Sequence, residues 1–382
     1  MTNSAPVTAA IIGLGRIAGI LEDDALREKP CTHAGAFAAN RDCVLAAGCD
    51  TDENRRRLFA KKWRVPVYDD AEEMISVHKP GIVAIATHPD SHFYYCRLAA
   101  RLGVALVICE KPLSDNLKEA RKIVALTEAK TPGKLSLFQN AVSANPRFDG
   151  QAYKSKEAGQ TKLVSLKTEG EPGVRRNSQL KIITNHERRY SADYIRAKEI
   201  LDEGKLGAIL SLRAVLYMGK TKRLLDVLWH DGTHLADALM FLTGFLLKHR
   251  SVRGAKLTQK KGTAWLEGEL LNSRNKAKIP VLIELGAERD HLVFEIEVSC
   301  ERGRLRIGNG VFEVWESAES PYAENFRSLK KTAAGFDGKT GYFANMIADA
   351  AACFRDPEKE PRSTAKDGLA VIEYLASVAK WH

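Results

Sequence analysis

An apolar run that breaks into closely spaced glycines near the start of the chain, Ala9-Ala10-Ile11-Ile12-Gly13-Leu14-Gly15-Arg16-Ile17-Ala18-Gly19, constrains the fold more than any other stretch. It reads as a strand feeding a phosphate-binding turn. Gly13 permits the tight turn, Gly15 lets backbone approach a pyrophosphate, and small Ala18 lets a following helix pack close with its N-terminal amides toward the phosphates. Arg16 and Ile17 belong to the same cofactor-facing turn. Glycine turns after strands are common, so this one needs company before it defines a dinucleotide site.

A chain of 382 residues exceeds what one core usually holds, which predicts two domains of ordinary size. No apolar stretch approaches the roughly 20 residues that span a bilayer, and the N-terminus shows no basic segment followed by a signal-peptide core. The expectation is a cytoplasmic protein without membrane contact. Seven cysteines, an odd number with no CxxC pair, predict buried free thiols rather than a disulfide framework or a zinc site. The formal charge of +10 comes from scattered basic residues with no stripe of exposed aromatics between them. A nucleic-acid partner is therefore not expected, whereas attraction for anionic cofactors and substrates is.

Val44-Leu45-Ala46-Ala47-Gly48-Cys49-Asp50 forms a second apolar run ending in an acid, 35 residues after Gly15. The usual interval is about 20 residues, so the first crossover carries extra chain, which Gly19 to Pro30 can supply. Asn54 to Lys62 reads as a helix, Gly81 to Thr87 as a buried strand, and Ala105 to Cys109 as another that runs into Glu110-Lys111-Pro112. Strands alternating with helices in this way predict an α/β domain with a parallel doubly wound, Rossmann-like sheet over residues 1–130. A polar, basic insertion follows at 131–178, read as a surface excursion or a lid. From 179 to 382 the chain supplies the last Rossmann strand, Leu180 to Thr184, and then an α+β domain. That domain has helices at Ala192 to Glu203 and Leu228 to Leu242 and alternating runs typical of a large, mostly antiparallel sheet. It ends in amphipathic helices at Ala344 to Phe354 and Ala365 to Ala379.

Taken in order, Gly13-x-Gly15-x-x-Ala18, Ala86-Thr87-His88-Pro89 with His92, Glu110-Lys111-Pro112-Leu113, Arg188-Arg189-Tyr190 and Asp231-Gly232-Thr233-His234-Leu235-Ala236-Asp237 resemble the glucose-fructose oxidoreductase, inositol dehydrogenase and rhizopine-catabolism (Gfo/Idh/MocA) family. The resemblance covers nearly the whole chain except the insertion. It implies an NAD(P)-dependent oxidoreductase acting on a sugar, a sugar derivative or a cyclic polyol, working as a homodimer or homotetramer through the open face of the C-terminal sheet. It carries the family's catalytic lysine onto Lys111, with Glu110 beside it, and contacts to the nicotinamide half of the cofactor onto Thr87 and His88. His92 belongs to the same loop as a helix-start residue that holds it.

Asp50 sits where a carboxylate can accept hydrogen bonds from the adenosine ribose and repel a 2'-phosphate, which favours NAD over NADP. Asp50 could instead cap the turn before Glu53, and Arg55, Arg56 and Arg57 leave NADP open. Lys111 precedes Pro112, which restricts it to an extended conformation, and its ammonium can stabilise alkoxide character on the reacting oxygen. His234 is the expected proton acceptor, oriented by Asp231 or His230, the latter standing where many family members carry an aspartate. Arg189 and Tyr190 are candidates for substrate contact or for bridging the domains. Glu187 stands where the family pattern has asparagine, with Asn185 nearby. The pairs His88/His92 and His230/His234 have zinc-like spacing, yet neither carries the Glu of HExxH or an evident third ligand, so no metal is expected. A non-redox glycosidase or lyase using tightly held NAD, and an NAD(P)-responsive regulator without turnover, are the alternatives.

Overall fold

The computed structural model describes residues 5–128, 179–219, 223–272 and 276–380; the 131–178 insertion therefore lies outside the described residues. The first part runs β1 (Val7–Ile12), α1 (His33–Ala39), β2 (Cys43–Cys49), α2 (Glu53–Trp63), β3 (Val67–Tyr68), α3 (Ala71–His78), β4 (Ile82–Ile85), α4 (His92–Arg101), β5 (Leu106–Cys109), α5 (Leu117–Glu128) and β6 (Lys181–Thr184). These six strands form one parallel sheet in the order β3-β2-β1-β4-β5-β6. Every residue of β4 and β5 is buried, as continuous apolar runs require when both faces of a sheet are covered. The strand order reverses between β1 and β4, and ligands bind such sheets in the crevice outside the carboxyl ends at that point.

The second part runs α6 (Ala192–Asp202), β7 (Ile209–Tyr217), α7 (Leu224–His230), α8 (Gly232–Thr243), β8 (Leu246–Gly254), β9 (Gly262–Leu271), β10 (Lys278–Ala287), β11 (Val293–Cys300), β12 (Gly303–Gly308), β13 (Val311–Glu319), β14 (Arg327–Ala334), α9 (Tyr342–Arg355) and α10 (Ala365–Ala379). Its eight strands form a sheet in the order β14-β13-β12-β11-β7-β10-β9-β8, antiparallel except where β7 meets β10. Alternate residues such as Leu212, Ala214 and Leu216 face the core with α6, α7 and α8. The opposite face carries ion pairs such as Arg306 with Glu295 and Glu313, interspersed with Trp265 and Trp315. All seven cysteines are buried free thiols, and no helix among the described residues is long and apolar enough to cross a membrane.

Three local expectations need correction. No α-helix follows the glycine turn directly: residues 16–19 form turns, Ile20–Asp23 a short 3-10 helix, and α1 begins only at His33. Lys62 Nζ takes the Gly19 carbonyl at 3.0 Å and Asp23 Oδ1 at 2.7 Å, drawing this segment onto α2 instead of letting it continue as a helix. The helix expected over Leu228 to Leu242 is two helices broken at Asp231, because the Asp231-Gly232 pair is a poor helix interior and Asp231 becomes the N-cap of α8. The edge strands β8 and β14 were not anticipated, since their mostly exposed, cation-rich sequences lack apolar alternation.

Candidate active site

A cleft of about 1020 Å³ runs along the carboxyl ends of β1, β2, β4, β5 and β6 and is closed over by the junction between α7 and α8. Gly13, Gly15, Arg16, Ile17, Asp50, Thr87, His88, Glu110, Lys111, His230, Asp231 and His234 all line it, so most of the expected site residues converge. His92, Arg189 and Tyr190 are not among its lining.

At one end, Gly13 turns with φ 86°, and a Cβ there would stand 2.8 Å from the Ala86 backbone. Strained backbone and overpacking each cost about 1–3 kcal/mol. We therefore expect Gly13→Ala to lower the melting temperature by several degrees and weaken NADH binding, measured by scanning calorimetry and fluorescence titration; an unchanged variant would contradict this packing. Gly15 differs. Its φ is not in the left-handed region, and a Cβ built on it meets no atom within 4 Å. Neither strain nor protein packing demands glycine there, so the open space before it fits a ligand brought against the backbone. Arg16 and Arg55 stand in the same lining with charge that suits phosphates.

Asp50 is buried and engaged: Leu14 N donates to Oδ2 at 2.7 Å, Asp52 N donates to Oδ1 at 2.9 Å, and Arg55 lies 3.7 Å from Oδ2. Both sequence readings of Asp50 therefore have a basis, since it braces the turn and still lines the cleft. Arg56 is spent on the Asp50 and Thr51 carbonyls.

In the middle of the cleft, Glu110 closes β5 as a buried carboxylate. Its Oε1 pairs with His33 Nε2 at 2.7 Å and accepts from Asn185 Nδ2 at 2.6 Å. Burial works to raise the Glu110 pKa, but these hydrogen bonds and the charges of His33 and Lys111 hold it below the usual carboxylate range. His92 sits fully buried with its ring between the carbonyls of Thr87, Pro112 and Leu113, tying the β4 loop to the β5 loop. It is a staple for the cofactor-facing loops rather than part of their surface.

Lys111 reaches across the domain boundary, its Nζ donating to the His230 carbonyl at 3.0 Å. That carbonyl ends α7, where the helix dipole favours a cation. His230 thus contributes its backbone, while its exposed ring lies 3.3 Å from Asp231 Oδ1. Asp231 caps α8 without a side-chain cap bond, and its carbonyl accepts the His234 amide at 3.1 Å. His234 is partly accessible through the cleft, and its Nδ1 has no hydrogen-bond partner among the described residues. Burial, reinforced by the charges of Lys111 and Arg188, pushes the His234 pKa well below its ordinary value.

A helix unbroken from Leu228 to Leu242 would put His230, His234 and Asp237 on one stripe; the break at Asp231 prevents it. Asp237 points into the core, where Arg189 Nε reaches its two carboxylate oxygens at 2.9 and 3.0 Å. Arg189 also pairs with Asp367 at 3.0 Å, and the Tyr190 hydroxyl accepts from the Ser363 amide at 3.2 Å. These two residues bind α8 and the start of α10 to the turn after β6; the structure favours bridging over substrate contact. Sequence reasoning passed over His33, whose role depends on a partner 77 positions away, and Trp229, which looked like ordinary helix core yet lines the cleft.

A parallel sheet of this strand order, a glycine turn at its reversal and ionisable groups gathered at its carboxyl ends define a Rossmann-type dinucleotide-binding protein with a second domain over the site. Residues 7–135 match the model of the Gfo/Idh/MocA family, described as an oxidoreductase family with an NAD-binding Rossmann fold. The likeness is to this N-terminal stretch, about a third of the chain. It is 28% identical over 121 residues to D-glucoside 3-dehydrogenase of Escherichia coli strain K12, covering 31% of each chain. It is 39% identical over 97 residues to D-apiose dehydrogenase of Paraburkholderia graminis, covering 25% of this chain and 26% of that one. The chain thus spans less than a third of the length of these curated relatives. Over 99% of its length it superposes on 96% of an oxidoreductase from Agrobacterium radiobacter crystallised with NAD+, L-tartaric acid and magnesium, with a TM-score of 0.66 and 14% identity. Likeness at that identity shows the fold alone.

Proposed function

We propose that this protein is an NAD-dependent dehydrogenase that moves a hydride between the nicotinamide ring and a secondary alcohol carbon of a sugar, a sugar derivative or a cyclic polyol. The observation that carries the reading is the reach of Lys111 from the end of β5 to the α7–α8 junction, where His234 lines the same cleft. When bound, the nicotinamide supplies the hydride acceptor. Lys111 Nζ donates to the alcohol oxygen and stabilises its growing negative charge. His234 accepts the hydroxyl proton, with Asp231 one turn away to orient the ring or the substrate. The test is a screen of glycosides, inositols and sugar acids with NAD+ and NADP+, read at the reduced nicotinamide absorbance band. Turnover of one substrate without net NADH would favour a glycosidase or lyase, and no turnover at all a regulator.

On this reading Asp50 selects the cofactor. We expect kcat/KM with NAD+ to exceed that with NADP+ at least tenfold, on the order of 1.4 kcal/mol of discrimination, and Asp50→Ser to narrow the gap. A wild type that prefers NADP+ would remove this role.

The pH profile follows from the direction of the His234 shift. Alcohol oxidation needs the neutral ring, and a pKa well below 6.5 keeps it neutral as the pH falls through that value. Oxidation should therefore hold level from pH 8 to 6 and decline only further into acid. A limb of unit slope centred at or above 6.5 that disappears in His234→Asn would contradict the assignment.

A further inference from the structure

Asn185 follows β6 directly, is only 3% exposed, and lines the cleft. Its Nδ2 donates to Glu110 Oε1 at 2.6 Å, the oxygen that also meets His33 Nε2. An ionised carboxylate only accepts hydrogen bonds, so this contact fixes the amide: the NH2 faces Glu110 and Oδ1 faces away. Asn185 Oδ1 is buried and accepts no hydrogen bond among the described residues. Buried acceptors are rarely left so in a native protein, and each exception has a cause, such as a bound water or a donor brought by a ligand.

The sheet indicates where that donor comes from. Gly13, Thr87, Lys111 and Asn185 stand beyond the ends of β1, β4, β5 and β6, which are successive neighbours. With strands about 4.8 Å apart, Asn185 lies roughly 14 Å from the glycine turn, past Lys111 and on the side away from Asp50. Asn185 thus stands one strand from Lys111, where an alcohol held on the lysine would adjoin it.

We propose that Asn185 Oδ1 accepts a hydrogen bond from a second hydroxyl of the substrate, neighbouring the one that reacts. The inference rests on the proposed dehydrogenase activity and assigns one specificity contact within it: a site built to pair a hydroxyl rejects the analogue that lacks it. Glu110 and His33 then serve a second purpose, holding an acceptor as well as supporting the lysine loop.

The test compares wild type, Asn185→Ala and Asn185→Ser with NAD+ on myo-inositol, methyl α-D-glucopyranoside and the monodeoxy forms of the latter, alongside NADH fluorescence titration. We expect Asn185→Ala to raise KM for the better polyol at least tenfold, change kcat less than threefold, and leave NADH affinity within twofold. Leaving aside the deoxy form that lacks the reacting hydroxyl and is turned over by neither enzyme, the deoxy position that costs wild type most should cost the variant no more than twofold, because the partner is already gone. Should the alanine variant fail to fold, the serine variant is held to the same criteria. Loss of kcat with KM unchanged would show that Asn185 merely orients Glu110, and loss of NADH affinity that its donor is the cofactor amide; either result overturns the proposal. Wild type inactive on every polyol, with either cofactor, would instead fell the dehydrogenase reading and this inference with it.

Discussion

Lys111→Ala is expected to lower kcat by about 10²–10⁴-fold, the range for removing a positioned proton donor or a charge aimed at a developing oxyanion. Its ammonium donates to a carbonyl at the α7–α8 junction, and its side chain is not part of the buried core. Folding should therefore survive, with a melting temperature within a few degrees of wild type. NADH should still bind, because the turn at Gly13 and the carboxylate of Asp50 are untouched. Lys111→Arg should recover little, since a planar guanidinium cannot place one compact charge where the ammonium sits. Stopped-flow measurement with a deuterated substrate reports whether the chemical step has become limiting. Near-normal turnover in Lys111→Ala would remove the lysine from the mechanism.

Arg189→Ala should be the most damaging substitution for stability, at about 3–5 kcal/mol. It leaves Asp237, 1% exposed, facing Asp367 with no cation between them. Burial already pushes the Asp237 pKa up to about 7 even with Arg189 against it, so an ionised carboxylate without the arginine is untenable there. Much of the loss should return in Arg189→Met combined with Asp237→Leu, which removes both buried charges and fills the space. Thermal and urea unfolding measure both variants. If Arg189→Ala were as stable as wild type yet lost only substrate affinity, the arginine would belong to the active site after all.

The parallel sheet was legible because strands buried on both faces leave continuous apolar runs, here alternating with helical stretches at βαβ spacing. Lys111 was legible for a related reason, since such a run ending in Glu110-Lys111-Pro112 marks a strand end facing the crevice. The helix break at Asp231 was not, because residues 228–242 keep an apolar period through the interruption; the stripe drawn across it put Asp237 on the wrong side. Arg189 was ambiguous in sequence because an arginine after a strand looks the same whether it meets a ligand or a buried aspartate 48 positions on. The Glu110 network was hidden more deeply: His33, Glu110 and Asn185 come from three separate stretches, and no local pattern records their meeting.

The C-terminal helices carry a consequence for how this protein can be divided. The face of the first sheet formed by Ala9, Ile11, Ala84 and Ile108 is covered by Phe343, Met346, Ile347 and Ala350 of α9, and Ile372 of α10 joins the core on the other face. The edge strand β6 arrives after residue 178, and Thr184 Oγ1 is bonded to the Thr364 carbonyl. The segment that matches the family, 7–135, is thus not a unit of folding by itself. Expressed alone it would lack an edge strand and the cover of one face, so the two halves of the chain are expected to melt together.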